Sequence, residues 1–134
     1  MRTKPQLTLD DVTKILAAAL AEAEANAWAV SIAVVDDGGH LLGLLRLDGA
    51  APVSAQIATE KARTSALGRR DSAGYEEMIN GGRVSFLSAP LTAMLEGGVP
   101  VRADGQVAGA VGVSGVKSPE DAQVARAGIG ALGL

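Results

Sequence analysis

Lys61 is the charged residue whose surroundings best suit acid–base chemistry. It lies in the stretch EKARTSA, among alanines at the spacings of three and four typical of a helix packed closely on a sheet. Partial burial there would let Lys61 bind an anion or act as an acid or base, with Asp36 as the second group that moves a proton. The structural alternative is an ion pair between Lys61 and Asp36 or Asp48.

A second group of residues could hold a small ligand. Arg46 and Asp48 lie in the stretch RLDGA, where the Arg46 guanidinium could clamp a ligand carboxylate in a bidentate pair. Ser114 and Gly115 end a glycine-rich stretch, so the Ser114 hydroxyl and nearby amides could meet ligand oxygens, with Gly112 leaving room beside them. The structural alternatives are a surface or interface ion pair at Arg46 and a capped turn at Ser114.

His40, the only histidine, is the candidate metal ligand. It follows the turn DDGG at 36–39 and could ligate haem iron or a divalent metal, or could simply be exposed. The two aspartates of this turn are expected to accept hydrogen bonds from nearby backbone amides. Because the chain has no cysteine, the other candidate iron ligands are Met78, Met94, Tyr75, a carboxylate or a hydroxyl.

Composition excludes several classes of protein. A chain of 134 residues suits one domain, residues 1–134, and its net charge of −3 and three aromatic residues argue against nucleic-acid binding. No apolar run reaches the roughly 20 residues of a membrane span, and the first residues lack the apolar core of a signal peptide. We therefore expect a cytoplasmic protein without disulfides or thiolate catalysis.

Four segments have helical features. Thr8, with Asp11 three residues later, resembles a capping box, and apolar residues then recur at helical spacing. Proline suits the first turn of two other helices, at Pro52 and Pro119. The predicted helices are 7–26, 52–70, 71–80 and one that begins with SPED at 118–121.

Strand patterns alternate with these helices. Segments 30–35 and 40–47 predict a hairpin about the DDGG turn, and leucines on both faces of its second strand predict that both faces are covered. Segment 91–95 could be a short strand. The second hairpin, 99–115, turns at Asp-Gly, and one face of its returning strand is nearly bare, so a packed helix or a ligand must approach it closely.

This element order indicates an α+β fold, with a single mainly antiparallel sheet flanked by helices. Gly109 and Gly112 lie within a strand, so they are not the glycine fingerprint of a dinucleotide-binding site, which lies between a strand and a helix.

Five stretches resemble the GlcG/HbpS-like family of haem-binding, glycolate-locus-type proteins, long classed as a domain of unknown function. Related domains are fused to PduO-type corrinoid adenosyltransferases. The block ending in GAVGVSG, after a GGVP turn, is the most specific of the matches. The matching stretches are LTLDDV at 7–12, SIAVVDDGGHLLGLLRLDGA at 31–50, ATEKARTSA at 58–66, GGVPVRADGQVAGAVGVSG at 97–115 and SPEDAQVARAG at 118–128.

The resemblance implies a profilin-like sheet of about five antiparallel strands and self-association into dimers or larger rings. It also implies a pocket for a small ligand: some members bind haem or iron, and haem degradation is suggested for some.

Three functions remain open at this point. The first is a small-ligand-binding protein that holds haem or a small organic acid against the glycine-rich strand, ringed by Arg46, Lys61 and Ser114. The second is a cofactor-free isomerase or lyase acting on a small carboxylate or carbonyl compound, with Lys61 as acid or base. The third is a structural, oligomeric partner of a metabolic enzyme.

Overall fold

Four helices and four strands make up the fold. The computed structural model describes residues 1–134 and includes a short 3-10 helix, Val84–Ser88. The predicted α+β class is confirmed. In chain order the elements are α1 Leu9–Ala25, β1 Ser31–Asp36, β2 Leu41–Arg46, α2 Val53–Gly68, α3 Ala73–Asn80, β3 Gly98–Ala103, β4 Gln106–Ser114 and α4 Ser118–Gly130.

The strands form one antiparallel sheet in the order β2-β1-β4-β3. Each predicted hairpin supplies two neighbouring strands, and β1 pairs with β4 at the centre of the sheet. Asp104 and Gly105 have φ angles of 52° and 73°, which are the positive values that a type I′ hairpin turn requires. Strands β2 and β3 are the two edges.

Helices cover the two faces of the sheet with side chains of different size. Helices α1 and α4 pack on one face against valines and an isoleucine of β1, β3 and β4, including Ile32, Val101 and Val111. The apolar side chains that helix α2 packs on the other face are all alanines, and they lie against Ala33, Val35 and Ala110. The second layer is therefore thinner, and α2 lies closer to the backbone of the sheet.

Helix α1 begins with the predicted capping box. The amide of Asp11 donates to the Thr8 hydroxyl at 3.2 Å, and the amide of Thr8 donates to the Asp11 carboxylate at 2.9 Å. These bonds satisfy backbone donors that the first turn of a helix leaves free. No helix in the chain is both long enough and apolar enough to cross a membrane.

The predicted single antiparallel sheet is confirmed, with four strands where about five were expected. Two predictions about individual segments are wrong. Segment 91–95, interpreted as a possible strand, is not one, because Ala93 has a φ of 46°, which breaks an extended conformation. Strand β2 is an edge strand whose face toward α2 is not covered, so Leu41 and Leu44 are 51% and 38% exposed. The prediction that both faces of this strand are covered, made from its leucines, is therefore wrong.

The bare face of β4 is covered by α2. A Cβ atom added to Gly112 would lie 2.5 Å from the amide nitrogen of Ala62, and closer still to the carbonyl oxygen of Ala58. Both neighbours are backbone atoms that cannot rotate away. Of the two alternatives at this face, a packed helix or a ligand, the structure has the helix.

We predict that Gly112→Ala destabilises the fold by about 3 kcal/mol, because α2 must move away from the sheet. Gly130→Ala is the matched control, since a Cβ atom there meets nothing within 4 Å. Urea denaturation followed by circular dichroism measures both variants. An equal, small effect of the two substitutions would show that α2 is not held tightly on β4.

Candidate functional site

A groove lies beside the sheet, where the chain leaves the regular helix and strand pattern between α3 and β3. Its volume is about 450 Å³, within the range of about 300–1,000 Å³ typical of ligand pockets. Six of its nine lining residues are hydrophobic. The lining residues are Glu76, Ile79, Asn80, Leu87, Leu91, Thr92, Ala93, Met94 and Leu95.

The apolar walls of this groove are open to solvent. Leu87 in the 3-10 helix is 64% exposed, and Leu95 on the opposite wall is 43% exposed. Val84, in the same 3-10 helix, is also 64% exposed. Grouped apolar side chains of this kind mark a surface that binds a ligand or another protein.

Hydrogen bonds from α2 and α3 hold one wall of the groove in place. The Thr64 hydroxyl donates to the carbonyl of Thr92, and the Thr92 hydroxyl donates to the carboxylate of Glu60. The Ser72 hydroxyl donates to the carbonyl of Leu95 at 2.6 Å. Segment 91–95 is therefore an ordered wall although it is not a strand.

Aromatic stacking holds the 3-10 helix against α3. The rings of Tyr75 and Phe86 stack with centroids 5.3 Å apart and planes inclined by 15°. Arg70 covers the Tyr75 ring at 4.5 Å, and Arg83 covers the Phe86 ring at 5.5 Å. Because Tyr75 is buried in this stack, it does not line the groove.

The groove was not expected from the sequence. Segment 91–95 was interpreted as a possible strand, and no element was expected to present these side chains together. The available signal was compositional: Val84, Phe86, Leu87, Leu91 and Met94 are apolar residues in a stretch without helical or strand periodicity.

Lys61 is enclosed within the protein. Its ammonium donates to the Asp121 carboxylate at 3.0 Å and to the carbonyl of Val113 at 3.0 Å, and both side chains are 3% exposed. The other oxygen of Asp121 accepts from the amide of Val116 at 3.2 Å. Burial raises the pKa of Asp121 above its ordinary value, although Lys61 and the Val116 amide act in the opposite direction.

The surroundings of Lys61 leave it without room for a substrate. A Cβ atom added to Gly97 would lie 2.8 Å from the Lys61 nitrogen, so glycine is needed where the chain passes over the ammonium. The ion pair predicted as the structural alternative exists, but its partner is Asp121 and not Asp36 or Asp48. The catalytic role of Lys61 stays a prediction, and this geometry does not support it.

Asp36 lies far from Lys61. It pairs with Gly109 on β4, whereas Lys61 contacts Val113, which is four residues or about 13 Å farther along that strand. Its carboxylate accepts from the amides of Gly38 and His40, both at 2.9 Å. The expected turn chemistry is found at Asp36 but not at Asp37, whose carboxylate accepts from Lys4. The predicted catalytic pair is not brought together.

Three of the predicted ligand-binding residues lie along one end of the sheet. Arg46 and Ser114 are the two neighbours of Ser31 on adjacent strands, which places their backbones about 10 Å apart on the face toward α2. Arg46 is exposed, Ser114 is buried and Gly115 is exposed just beyond it. With Lys61 enclosed and Gly112 under α2, these residues do not surround one cavity.

The remaining predicted residues are exposed. Asp48 lines a shallow cleft of about 330 Å³ together with Glu24, Trp28 and Leu47. His40 is exposed at its turn, and no group of three or more His, Cys, Asp or Glu side chains could hold a metal ion. As a metal ligand, His40 would have to act alone, as an axial ligand to haem iron can.

The fold and the groove together define a class: an α+β domain whose layered core is filled with small side chains and whose open apolar groove lies beside it. The chain belongs to the HbpS-like family, described as "Haem degrading protein HbpS-like", whose model matches residues 7–130. The predicted family is therefore confirmed.

Individual relatives agree with this assignment. Protein GlcG of Escherichia coli (strain K12) is 60% identical over 114 residues, covering 85% of each chain. The crystal structure of a double mutant of Streptomyces reticuli HbpS superposes with a TM-score of 0.90 at 37% identity, covering 100% of this chain and 92% of that one. The crystal structure of Klebsiella pneumoniae protein ORFY gives 0.90 at 28% identity, covering 98% and 94%.

We predict that Lys61→Met destabilises the protein by about 3–5 kcal/mol, because it leaves Asp121 buried without a partner. The double variant Lys61→Met/Asp121→Leu should recover most of this loss, since it leaves no uncompensated charge. Lys14→Met, which breaks the exposed pair with Asp10, is the control and should change stability by less than about 1 kcal/mol. Urea denaturation measures these three variants and the single variant Asp121→Leu. If the loss in the double variant equals the sum of the losses in the two single variants, the assigned pair is contradicted.

Proposed function

We propose that this chain is a small-ligand-binding protein that holds a flat, largely apolar ligand, with haem as the candidate, in the groove between α3 and segment 91–95. The observation that carries the proposal is the open apolar groove of about 450 Å³. The family description, which names haem degradation, supports haem as the candidate. Buried ligand pockets are usually apolar with a few placed polar groups, and this groove has that composition.

The side chains of the groove fit such a ligand. Leucines and Ile79 would contact the porphyrin surface, and Met94 offers a thioether of the kind that ligates haem iron. Glu76 is the one acidic side chain in the groove, and its carboxylate accepts from the amide of Glu96 at 3.2 Å. Haem, when bound, would supply a redox-active iron; the protein would supply position and partial exclusion of water.

Exposed leucines on edge strand β2 add self-association to the proposal. Leu41 and Leu44 lie on the α2 face of edge strand β2, paired across the sheet with Val35 and Ala33, and both side chains remain partly exposed. We propose that a second copy of the chain covers this strip, as the family resemblance implies. An uncovered apolar edge strand is otherwise a liability for a protein in water.

We predict that purified protein binds hemin in saturable fashion and that Leu91→Glu weakens binding at least about tenfold, because it buries a charge against the ligand. Met94→Leu should move the Soret band while leaving most of the affinity, since it replaces the thioether with an apolar group of similar size. Absorbance titration measures both effects.

Three control variants test where hemin binds. Leu9→Glu places the same charge on an exposed position of α1, and Met78→Leu removes a thioether outside the groove. His40→Ala should leave the titration unchanged. Loss of binding in His40→Ala, with Leu91→Glu unaffected, would place hemin elsewhere and contradict the groove.

We predict that the chain migrates as a dimer or larger assembly and that Leu44→Glu reduces it to the monomer mass of 13.5 kDa. A glutamate beside Leu41 would lose its hydration when a second copy packs on this strand, which makes the dimer unfavourable. Light scattering after size exclusion gives the mass, with Leu9→Glu as control. A wild-type monomer, or an unchanged mass in Leu44→Glu, would contradict this interface.

A further inference from the structure

A cleft with an excess of positive charge lies at the end of the sheet where the chain makes both hairpin turns. Its volume is about 260 Å³. It shares no residue with the apolar groove. The lining residues are Lys4, Asp37, Arg69, Arg102, Gly105, Gln106 and Val107.

Three cations and one carboxylate face this cleft. Lys4 donates to the Asp37 carboxylate at 2.7 Å, and a guanidinium nitrogen of Arg69 lies 3.7 Å from the same carboxylate. Arg102 forms no ion pair. Two positive charges therefore remain without a protein counter-charge, although the chain as a whole carries −3.

Hydrogen bonds to the backbone hold the two arginines in place. Arg69 donates to the carbonyl of Ala66 at 2.7 Å and to the carbonyl of Asp37. Arg102 in turn donates to the carbonyl of Arg69 at 2.8 Å. Holding the side chains in advance reduces the conformational entropy that a ligand would otherwise have to remove.

The N-terminal segment is tied to the same place. Gln106, in the hairpin β3–β4, donates to the carbonyl of Thr3 at 3.1 Å, which sets Lys4 beside the cleft. Lys4 uses one of its three donors on Asp37, and Arg102 uses one of its five on Arg69. Free N–H donors therefore accompany the unbalanced charge.

We propose that this cleft binds a small dianionic oxyanion, held by Lys4, Arg69 and Arg102. Two unbalanced positive charges match two negative ones, and guanidinium groups suit the planar or forked oxygens of carboxylate and phosphate. A short dicarboxylate and inorganic phosphate share this chemistry. Asp37 competes with the ligand for Lys4, and the hydrogen bond from Lys4 holds the pKa of Asp37 below its ordinary value.

Calorimetric titration of the full chain with malonate, succinate and inorganic phosphate tests the site, with acetate as the monoanionic control. Low ionic strength is needed because salt screens exposed charges. We expect saturable binding of a dianion and weak or no binding of acetate. A dicarboxylate that binds while phosphate does not, or the reverse, identifies the ligand class.

Variants distinguish a specific anion site from nonspecific electrostatic attraction. Arg102→Gln should weaken binding at least about tenfold, whereas Arg126→Gln, which alters an exposed arginine paired with Asp71, should not. Asp37→Asn should tighten binding, because it removes the competing carboxylate and frees Lys4. Circular dichroism confirms folding of each variant.

Three outcomes would overturn the proposal: no saturable binding by any dianion, equal losses in Arg102→Gln and Arg126→Gln, or no gain in Asp37→Asn. Hemin titration of the same variants keeps this result separate from the groove, since no residue is common to both.

Discussion

Helix α2 rests directly on the backbone of two neighbouring strands, and this contact positions the buried charge of Lys61. Gly112 on β4 pairs with Gly98 on β3, and neither has a side chain between the sheet and the helix. The backbone of α2 lies over both glycines, with Ala62 above Gly112 and the carbonyl of Lys61 above Gly98. The Lys61 side chain is buried against this layer, where its ammonium reaches the carbonyl of Val113 on β4 and the carboxylate of Asp121 on α4.

The close packing of α2 on the sheet brings Lys61 to Asp121, and the resulting ion pair adds a specific contact between α2 and α4 that the alanines do not provide. Alanines fill little volume and interlock weakly, so they do not by themselves fix how α2 sits relative to α4 across the sheet. A buried ion pair adds little net stability compared with apolar residues, but leaving one partner alone is unfavourable by several kcal/mol. We infer that the pair serves to fix the relative position of the two helices.

Sequence patterns predicted the helices and strands of the fold better than the residues of the candidate site. The capping box at Thr8, the Asp-Gly turn and the bare face of β4 are local features whose physics is complete within a few residues, and the structure contains all three. The partner of Lys61 was missed because Asp121 is 60 residues away, and only the packing of two helices brings them together. The groove was missed because one of its walls, segment 91–95, belongs to no helix or strand, so no sequence periodicity pointed to it.

The layered core also explains why a ligand site must lie outside it. Strands β1, β4 and β3 are covered by α1 and α4 on one face and by α2 on the other, and both interfaces are filled by side chains or backbone in contact. A ligand of haem size could enter either layer only by separating elements that pack without gaps. Segment 84–95 is different, because its apolar side chains do not pack into either layer of the core. Hydrogen bonds from the side chains of Thr64 and Ser72 fix its backbone and leave those apolar side chains exposed. The rigid core thus positions this segment without taking part in the binding surface that it forms.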